Sequence, residues 1–282
     1  MNYKTIWSML RQTVSLWNEH EAPRLGAALA FYTILSLAPL IILVIAIIGL
    51  IFGDSTAKHE LVGQAYGIMG RQGADAVKSL IEQAQRPVSG AFASIIGIAT
   101  LLFGASGVFS ELRSALNEMW NVKPKSEGGV WETIKQRFFS FGMVLAVGFL
   151  LLVSLLITAA LAALGKFFGE VMPVPEYVLG TINFLISIAG TAVLFALIFR
   201  YLPETKIDWK DIWIGATVTA VLFTVGKLLI GLYLGKAAVG SAYGAAGSLV
   251  VVIVWVYYSA MIFLFGAQFT HVLASNSVEP QR

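Results

Sequence analysis

Ionisable side chains inside long apolar stretches are the residues of this chain best placed to do chemistry. Lys227, within TVGKLLIGLYLGK, is the clearest of them, because a charged group inside a membrane is costly and is by default a functional candidate. Its ammonium group could attract a phosphate or carboxylate head group, or it could extend to the outer membrane surface along its aliphatic stem. Asn183 lies at a similar depth in another apolar stretch and is the predicted neighbour of Lys227.

Hydroxyl and aromatic side chains form a second group of candidates. The stretch GAALAFYTILSLAPLIIL, residues 26–43, carries Tyr32, Thr33 and Ser36 where lipid would favour leucine. Pro39 withholds a hydrogen-bond donor from the helix, which predicts a kink. These residues either pack one helix closely against another or line a path across the membrane. The full set of residues predicted to bind a substrate is Lys227, Asn183, Tyr32, Thr33, Ser36, Tyr233, Trp255 and Tyr258.

The remaining titratable residues give little support for catalysis or metal binding. His20, His59 and His271 do not follow a metal-ligand spacing, and the chain has no cysteine. Nucleotide-binding and nucleophile motifs are absent from the sequence, as is a basic surface with interleaved aromatics for nucleic acid. Glu111 is predicted to form an ion pair with Arg113, or with a nearby base of the inner loops, at the inner membrane face. We therefore expect no enzyme activity, no metal, no cofactor and no nucleic-acid partner.

The composition identifies the elements that must position these residues. The 282 residues are 57% hydrophobic and only 12% charged, with a mean hydropathy of +0.79. A soluble protein has about 25% charged residues, so most of this surface must face lipid. About 20 apolar residues in a helix cross the hydrocarbon core, and continuous apolar runs favour helices over barrel strands. The sequence predicts an all-α integral membrane protein with six transmembrane helices, at about 25–52, 91–112, 138–164, 178–201, 212–234 and 246–272.

The segments outside the spans are predicted to be amphipathic. Residues 1–24 form an interfacial helix, and an outer amphipathic loop at 53–90 contains two short helices separated by Gly70 and Gly73. The membrane domain covers 25–272, followed by a short cytoplasmic tail at 273–282. Of the 19 Lys and Arg residues, twelve fall in the loops on one side and six on the other. This asymmetry places both termini in the cytoplasm.

Five segments resemble the YihY/BrkB family of bacterial inner-membrane proteins, in order over essentially the whole chain. They are RLGAALAFYTILSLAPLI, FSELRSALNEMWNV, YLPETKIDWKDIWIGA, GKLLIGLYL and AYGAAGSLVVVIVWVYYSAMIFLFGAQFT. The resemblance implies a multi-pass protein of the bacterial inner membrane, with six spans and cytoplasmic termini. The motif residues of the family fall here at Tyr32, Ser36, Pro39, Asn117, Trp120, Pro203, Lys227, Tyr233, Tyr243, Gly244, Trp255 and Gly266.

The resemblance and the residues together lead to a functional hypothesis. The family has carried a ribonuclease BN label, which the lack of converging titratable groups in this sequence argues against. Other roles suggested for the family are serum resistance, envelope biogenesis and export of lipid-like molecules. We expect a non-enzymatic transporter or flippase of a lipid or another anionic amphiphile, with a carrier of small solutes as a close variant. A membrane scaffold for envelope machinery is the alternative. The expected partners are membrane lipids, envelope proteins or further copies of the chain.

Overall fold

The computed structural model describes residues 3–84, 107–122, 176–205, 207–236 and 247–278. Within these ranges the chain is helical apart from short connections. The helices are α1 (Tyr3–Glu19), α2 (Ala22–Phe52), α3 (Asp54–Ala84), α4 (107–119), α5 (Glu176–Tyr201), α6 (Trp209–Lys236) and α7 (Gly247–Val278).

Three of these helices are long and apolar enough to cross a membrane. Their apolar segments are Phe184–Tyr201 in α5, Trp209–Leu234 in α6 and Leu249–Ser277 in α7, and α2 adds the shorter apolar segment Ala22–Leu37. The predicted spans at these four places therefore coincide with helices. The predicted span at 138–164 lies outside the described residues, as does 91–112 up to residue 106. The chain is thus an all-α membrane protein in the part that the structure describes.

The main hydrophobic core lies where α2, α4, α5, α6 and α7 meet. Its centre is formed by Phe195 and Phe199 of α5 with Phe263 of α7, whose ring centroids lie 5.4 to 6.3 Å apart. Aromatic pairs at this separation add stabilisation to the area that they bury. Helix α7 contacts α1, α2, α3 and α6, and α6 also contacts α5. These packed helices hold the polar residues of α6 and α7 in place.

Helix α1 ends at Glu19, and α2 begins at Ala22, three residues before the predicted first span. Met9 and Leu16 of α1 pack against Val272 and Leu273 of α7. On the other side of α1, Trp7 is 70% exposed. This division of α1 into a packed face and an exposed aromatic face suits a helix at a membrane surface.

Helix α3 corrects the prediction of an outer loop with two short helices. It is one continuous helix through Gly70 and Gly73. A glycine costs only about 1 kcal/mol in a helix interior, and tertiary packing readily offsets this cost. Here Ala74, Val77 and Ile81 of α3 are buried against α2 and α7.

Candidate functional site

Lys227 lies on the face of α6 that points into the protein. The buried residues Ala216, Ala220, Ile230 and Leu234 repeat at helical spacing on this face, and Lys227 belongs to the same series. Lys227 itself is half-buried. The opposite face consists of exposed valines and leucines, namely Val221, Val225, Leu228, Leu229 and Leu232. The lysine is therefore on the packed side of the helix and not on its leucine-rich, exposed side.

Trp255 of α7 packs across this same part of α6. Its ring meets Phe223 edge-on, with ring centroids 6.3 Å apart and planes at 88°. It also packs against the cluster of Ile230, Leu234 and Val251. Phe223 lies one turn before Lys227 and Ile230 nearly one turn after it, so the indole packs against residues on either side of the lysine along the same face of α6.

The two polar groups at this position lack acceptors within the described residues. Trp255 Nε1 is buried and has no hydrogen-bond partner there, and Lys227 has no ion-pair partner there. An ammonium group and an indole N–H can only donate hydrogen bonds. The packed faces of α6 and α7 thus carry two donor-only groups, and we refer to Lys227 and Trp255 as the donor site.

The hydroxyl-bearing residues of α2 make contacts close to their own position in the helix. Ser36 is buried, and its hydroxyl donates a 3.0 Å hydrogen bond to the carbonyl oxygen of Thr33 in the same helix. Tyr32 is 39% exposed, and its ring packs beside Gly107 of α4. The side chain of Pro39 lies outside the described residues, while the backbone of α2 is helical through this position. A role for Tyr32, Thr33 and Ser36 in lining a path stays a prediction.

Of the predicted tyrosines, Tyr258 packs against the same cluster of Ile230, Leu234 and Val251 as Trp255. Tyr258 lines two adjoining apolar grooves on the α6–α7 surface, of about 300 and 370 Å³, and Tyr233 lines the second one. Lys227 and Trp255 line neither groove. The side chain of Asn183, the predicted neighbour of Lys227, lies outside the described residues. Of the predicted set, Trp255 and Tyr258 therefore pack on the face of α6 that carries Lys227, and Tyr233 shares a groove with Tyr258.

The ion pair predicted between Glu111 and Arg113 is replaced by a different one. Arg113 donates from a guanidinium nitrogen to Glu204 Oε1 at 2.7 Å, and Glu204 lies in the connection between α5 and α6. The backbone N–H of Glu204 donates to Asn117 Oδ1 at 3.0 Å. Trp120 Nε1 donates to the carbonyl oxygen of Ala267 at 2.8 Å. The motif residues Asn117 and Trp120 thus fasten α4 to the α5–α6 connection and to α7.

Helices α6 and α7 approach each other through a reciprocal glycine–threonine contact. A Cβ atom on Gly215 would overlap Thr270, and one on Gly266 would overlap Thr219. Each threonine hydroxyl donates to the glycine carbonyl four residues earlier in its own helix, at 2.7 Å. Sequence reasoning missed this contact, although both helices carry the pattern Gly-x-x-x-Thr. Small residues at this spacing are typical of close packing between membrane helices.

His20, in the connection between α1 and α2, belongs to a contact with α7. His20 Nδ1 lies 3.1 Å from Gln268 Oε1, and Gln268 is fully buried. In the part of the chain that the structure describes, no group of three or more His, Cys, Asp and Glu side chains could hold a metal ion.

The apolar helices and the polar residues packed between them define an integral membrane protein built from α-helices. The chain belongs to the BrkB family, because the family described as Virulence factor BrkB matches residues 13–282. The chain is 23% identical over 269 residues to a UPF0761 membrane protein of Ralstonia nicotianae, covering 94% of this chain and 58% of the relative. It is 26% identical over 265 residues to a UPF0761 membrane protein of Mannheimia succiniciproducens, covering 91% of this chain and 86% of the relative.

The first relatives are longer than this chain. A UPF0761 membrane protein of Pseudomonas aeruginosa is 25% identical over 269 residues, and the match covers 93% of this chain but 62% of the relative. The chain thus spans about three fifths of the length of the Ralstonia and Pseudomonas relatives. No solved structure is a significant match to this chain.

Proposed function

We propose that this protein moves a lipid, or another amphiphile with an anionic head group, within the bacterial inner membrane during envelope biogenesis. The observation that supports this proposal is the donor site. Lys227 and Trp255 place two donor-only groups on the packed faces of α6 and α7; within the described residues the indole N–H has no hydrogen-bond partner and the lysine has no ion-pair partner.

The chemistry of the donor site suits an oxyanion. Phosphate and carboxylate oxygens accept several hydrogen bonds, so one anionic group can satisfy both an ammonium and an indole N–H. In a low-dielectric interior such a contact is stronger than in water, and an unpaired buried polar group is correspondingly costly. An anionic head group at the donor site would remove that cost for Trp255 Nε1. The phenylalanine and isoleucine side chains around the site would contact the apolar part of the same molecule.

The proposed topology has six transmembrane helices and both termini in the cytoplasm. In this topology α6 runs outward, and Lys227 lies about 10 Å from the end of its apolar segment at Leu234, at about 1.5 Å per residue. The site would then lie in the outer half of the membrane. The proposal includes no catalysis: equilibration of a lipid between the two leaflets needs no energy input, and net export would take its energy from a gradient or a partner protein. Membrane lipids and envelope proteins are the proposed partners.

A lipid-translocation assay in vesicles tests this function. Wild-type protein and the variants Lys227→Met and Lys227→Arg are reconstituted with phosphatidylglycerol or phosphatidylcholine bearing a nitrobenzoxadiazole fluorophore. Dithionite then quenches only the probe in the outer leaflet. We expect wild type and Lys227→Arg to expose the anionic probe faster than protein-free vesicles, and Lys227→Met to lose at least about tenfold in rate, since about 1.4 kcal/mol corresponds to a factor of ten.

Lys210→Met is the matched control, because Lys210 is an exposed lysine in the first turn of the same helix. This variant should keep the wild-type rate. Equal rates for wild type and Lys227→Met, or rates no faster than in protein-free vesicles, would contradict transport. A membrane scaffold would then be the better account.

A further inference from the structure

Helix α3 carries a stripe of alternating charges on its exposed face. Arg71, Asp75, Lys78 and Glu82 follow one another at spacings of four, three and four residues, so they lie on one narrow face of the helix. All four are exposed. The opposite face of α3 is buried against α2 and α7 through the cluster that contains Ala74, Val77 and Ile81. The stripe is therefore held on a helix that is anchored to the membrane domain.

The four charges do not neutralise one another along the helix. Within the described residues the ion pairs are Arg24 with Glu21 and Arg113 with Glu204, and neither involves α3. In both pairs at a spacing of four, Arg71 with Asp75 and Lys78 with Glu82, the base precedes the acid. This order is the less favourable one in a helix, because the acid is better placed nearer the N-terminus. Asp75 and Lys78, at a spacing of three, have the better order, but they form no ion pair in the part of the chain that the structure describes either. The charges of the stripe are thus available to a partner.

The charges of the stripe are complementary to those of a second, antiparallel copy of α3. If two copies of α3 lie antiparallel about a two-fold axis between residues 76 and 77, Arg71 faces Glu82 of the second copy. Asp75 then faces Lys78 of the second copy. The axis repeats both contacts, so the interface contains four ion pairs over about 16 Å of helix, at about 1.5 Å per residue. In a parallel arrangement each residue of the stripe would instead face the same residue of the second copy, so like charges would meet.

The packing of α3 allows this antiparallel meeting. Helix α3 contacts α2, α6 and α7, while the stripe lies on its exposed face. A two-fold axis perpendicular to α3 reverses the direction of the helix. Two copies related by such an axis therefore meet in opposite senses when their exposed faces touch.

From these observations we propose that the stripe on α3 is the contact surface for a second copy of this chain in a two-fold symmetric dimer. Exposed ion pairs contribute little individually, so the four pairs chiefly set the orientation and the register of the two copies. The proposal does not depend on transport by the donor site.

Reversal of charge tests the dimer. Fluorescently labelled protein is reconstituted at decreasing density in phosphatidylethanolamine–phosphatidylglycerol vesicles, and single-molecule photobleaching gives the dimer fraction. We expect wild type to dimerise, and Arg71→Glu to require at least about tenfold higher density for half-dimerisation, because like charges then meet twice across the axis. The double variant Arg71→Glu with Glu82→Arg restores opposite charges at both places and should recover the wild-type midpoint.

The second pair provides an independent measurement in case one variant fails to fold. Asp75→Lys should weaken the dimer, and adding Lys78→Asp should restore it. Lys210→Glu, which reverses an exposed charge at the start of α6, should leave the midpoint unchanged. A wild-type protein that is monomeric at every density would overturn the proposal. So would a dimer that neither single reversal weakens, or two double variants that both stay monomeric.

Discussion

Gly215 of α6 lies so close to Thr270 of α7 that a Cβ atom at position 215 would overlap the threonine side chain. The same contact occurs in reverse between Gly266 and Thr219. Each threonine hydroxyl is satisfied by its own helix, so it can pack against the opposing glycine without an unpaired polar group. This contact fixes the separation of the two helices that carry Lys227 and Trp255.

Gly215→Ala should destabilise the protein. The added methyl group meets Thr270 in a closely packed contact, and overpacking of this kind costs about 1–3 kcal/mol. The free energy of unfolding in detergent micelles measures the effect. Gly190→Ala in α5 is the control, since nothing lies within 4 Å of its Cβ position, and this variant should gain about 0.5–1 kcal/mol from helix propensity. Equal stability of the two variants would contradict the close contact.

Trp120→Phe should remove a buried hydrogen bond while keeping most of the aromatic contact with Phe199. The carbonyl oxygen of Ala267 then loses its indole donor, so we expect a loss of about 1 kcal/mol in the free energy of unfolding. Trp213→Phe provides the comparison, because Trp213 is 44% exposed. An equal change in the free energy of unfolding for both tryptophan substitutions would contradict a stabilising hydrogen bond from Trp120.

Arg113→Met and Glu204→Gln should be coupled energetically. The side chains are only 25% and 18% exposed and form a 2.7 Å ion pair. A double-mutant cycle should therefore give a coupling free energy of about 1–2 kcal/mol. The cycle of Arg113→Met with Glu111→Gln should give a value close to zero. A coupling of Arg113 to Glu111, with none to Glu204, would contradict the ion pair seen in the structure and support the one predicted from the sequence.

Lys227→Cys should react with a charged thiol reagent if the donor site can admit an anion. The sequence contains no other cysteine, so the label reports this position alone. We expect a methanethiosulfonate with a sulfonate group to modify Lys227→Cys in vesicles. Leu228→Cys should stay unmodified, because Leu228 is 59% exposed on the apolar face and would lie in lipid. Two unreactive variants would indicate a lysine that is packed or that extends along the helix to the surface.

Within the described residues the sequence predicts the long apolar helices well, because their apolar runs are long. The predicted spans at 178–201 and 212–234 differ from α5 and α6 by at most three residues at either end. The continuity of α3 was missed, because its two glycines resemble a break until the packing of Val77 and Ile81 is known. Local sequence rules do not contain that tertiary contact.

The candidate site was predictable only in part. Lys227 is recognisable because a lysine inside an apolar run is rare. The direction in which Lys227 points was not predictable. Helix α6 is apolar on all sides, so hydrophobic periodicity cannot distinguish its lipid-facing side from its packed side. Glu204 was missed as the partner of Arg113 because the two are 91 positions apart, and sequence reasoning favours a near neighbour.

Native mass spectrometry with lipid extraction tests the central claim, that the donor site binds an anionic head group, most directly. Gently solubilised wild-type protein is compared with Lys227→Met, Lys227→Arg and the control Lys210→Met. The account predicts one class of anionic lipid or amphiphile bound to wild type, Lys227→Arg and Lys210→Met, and at least about tenfold depleted in Lys227→Met. The same bulk lipids at the same occupancy in all four proteins would contradict it.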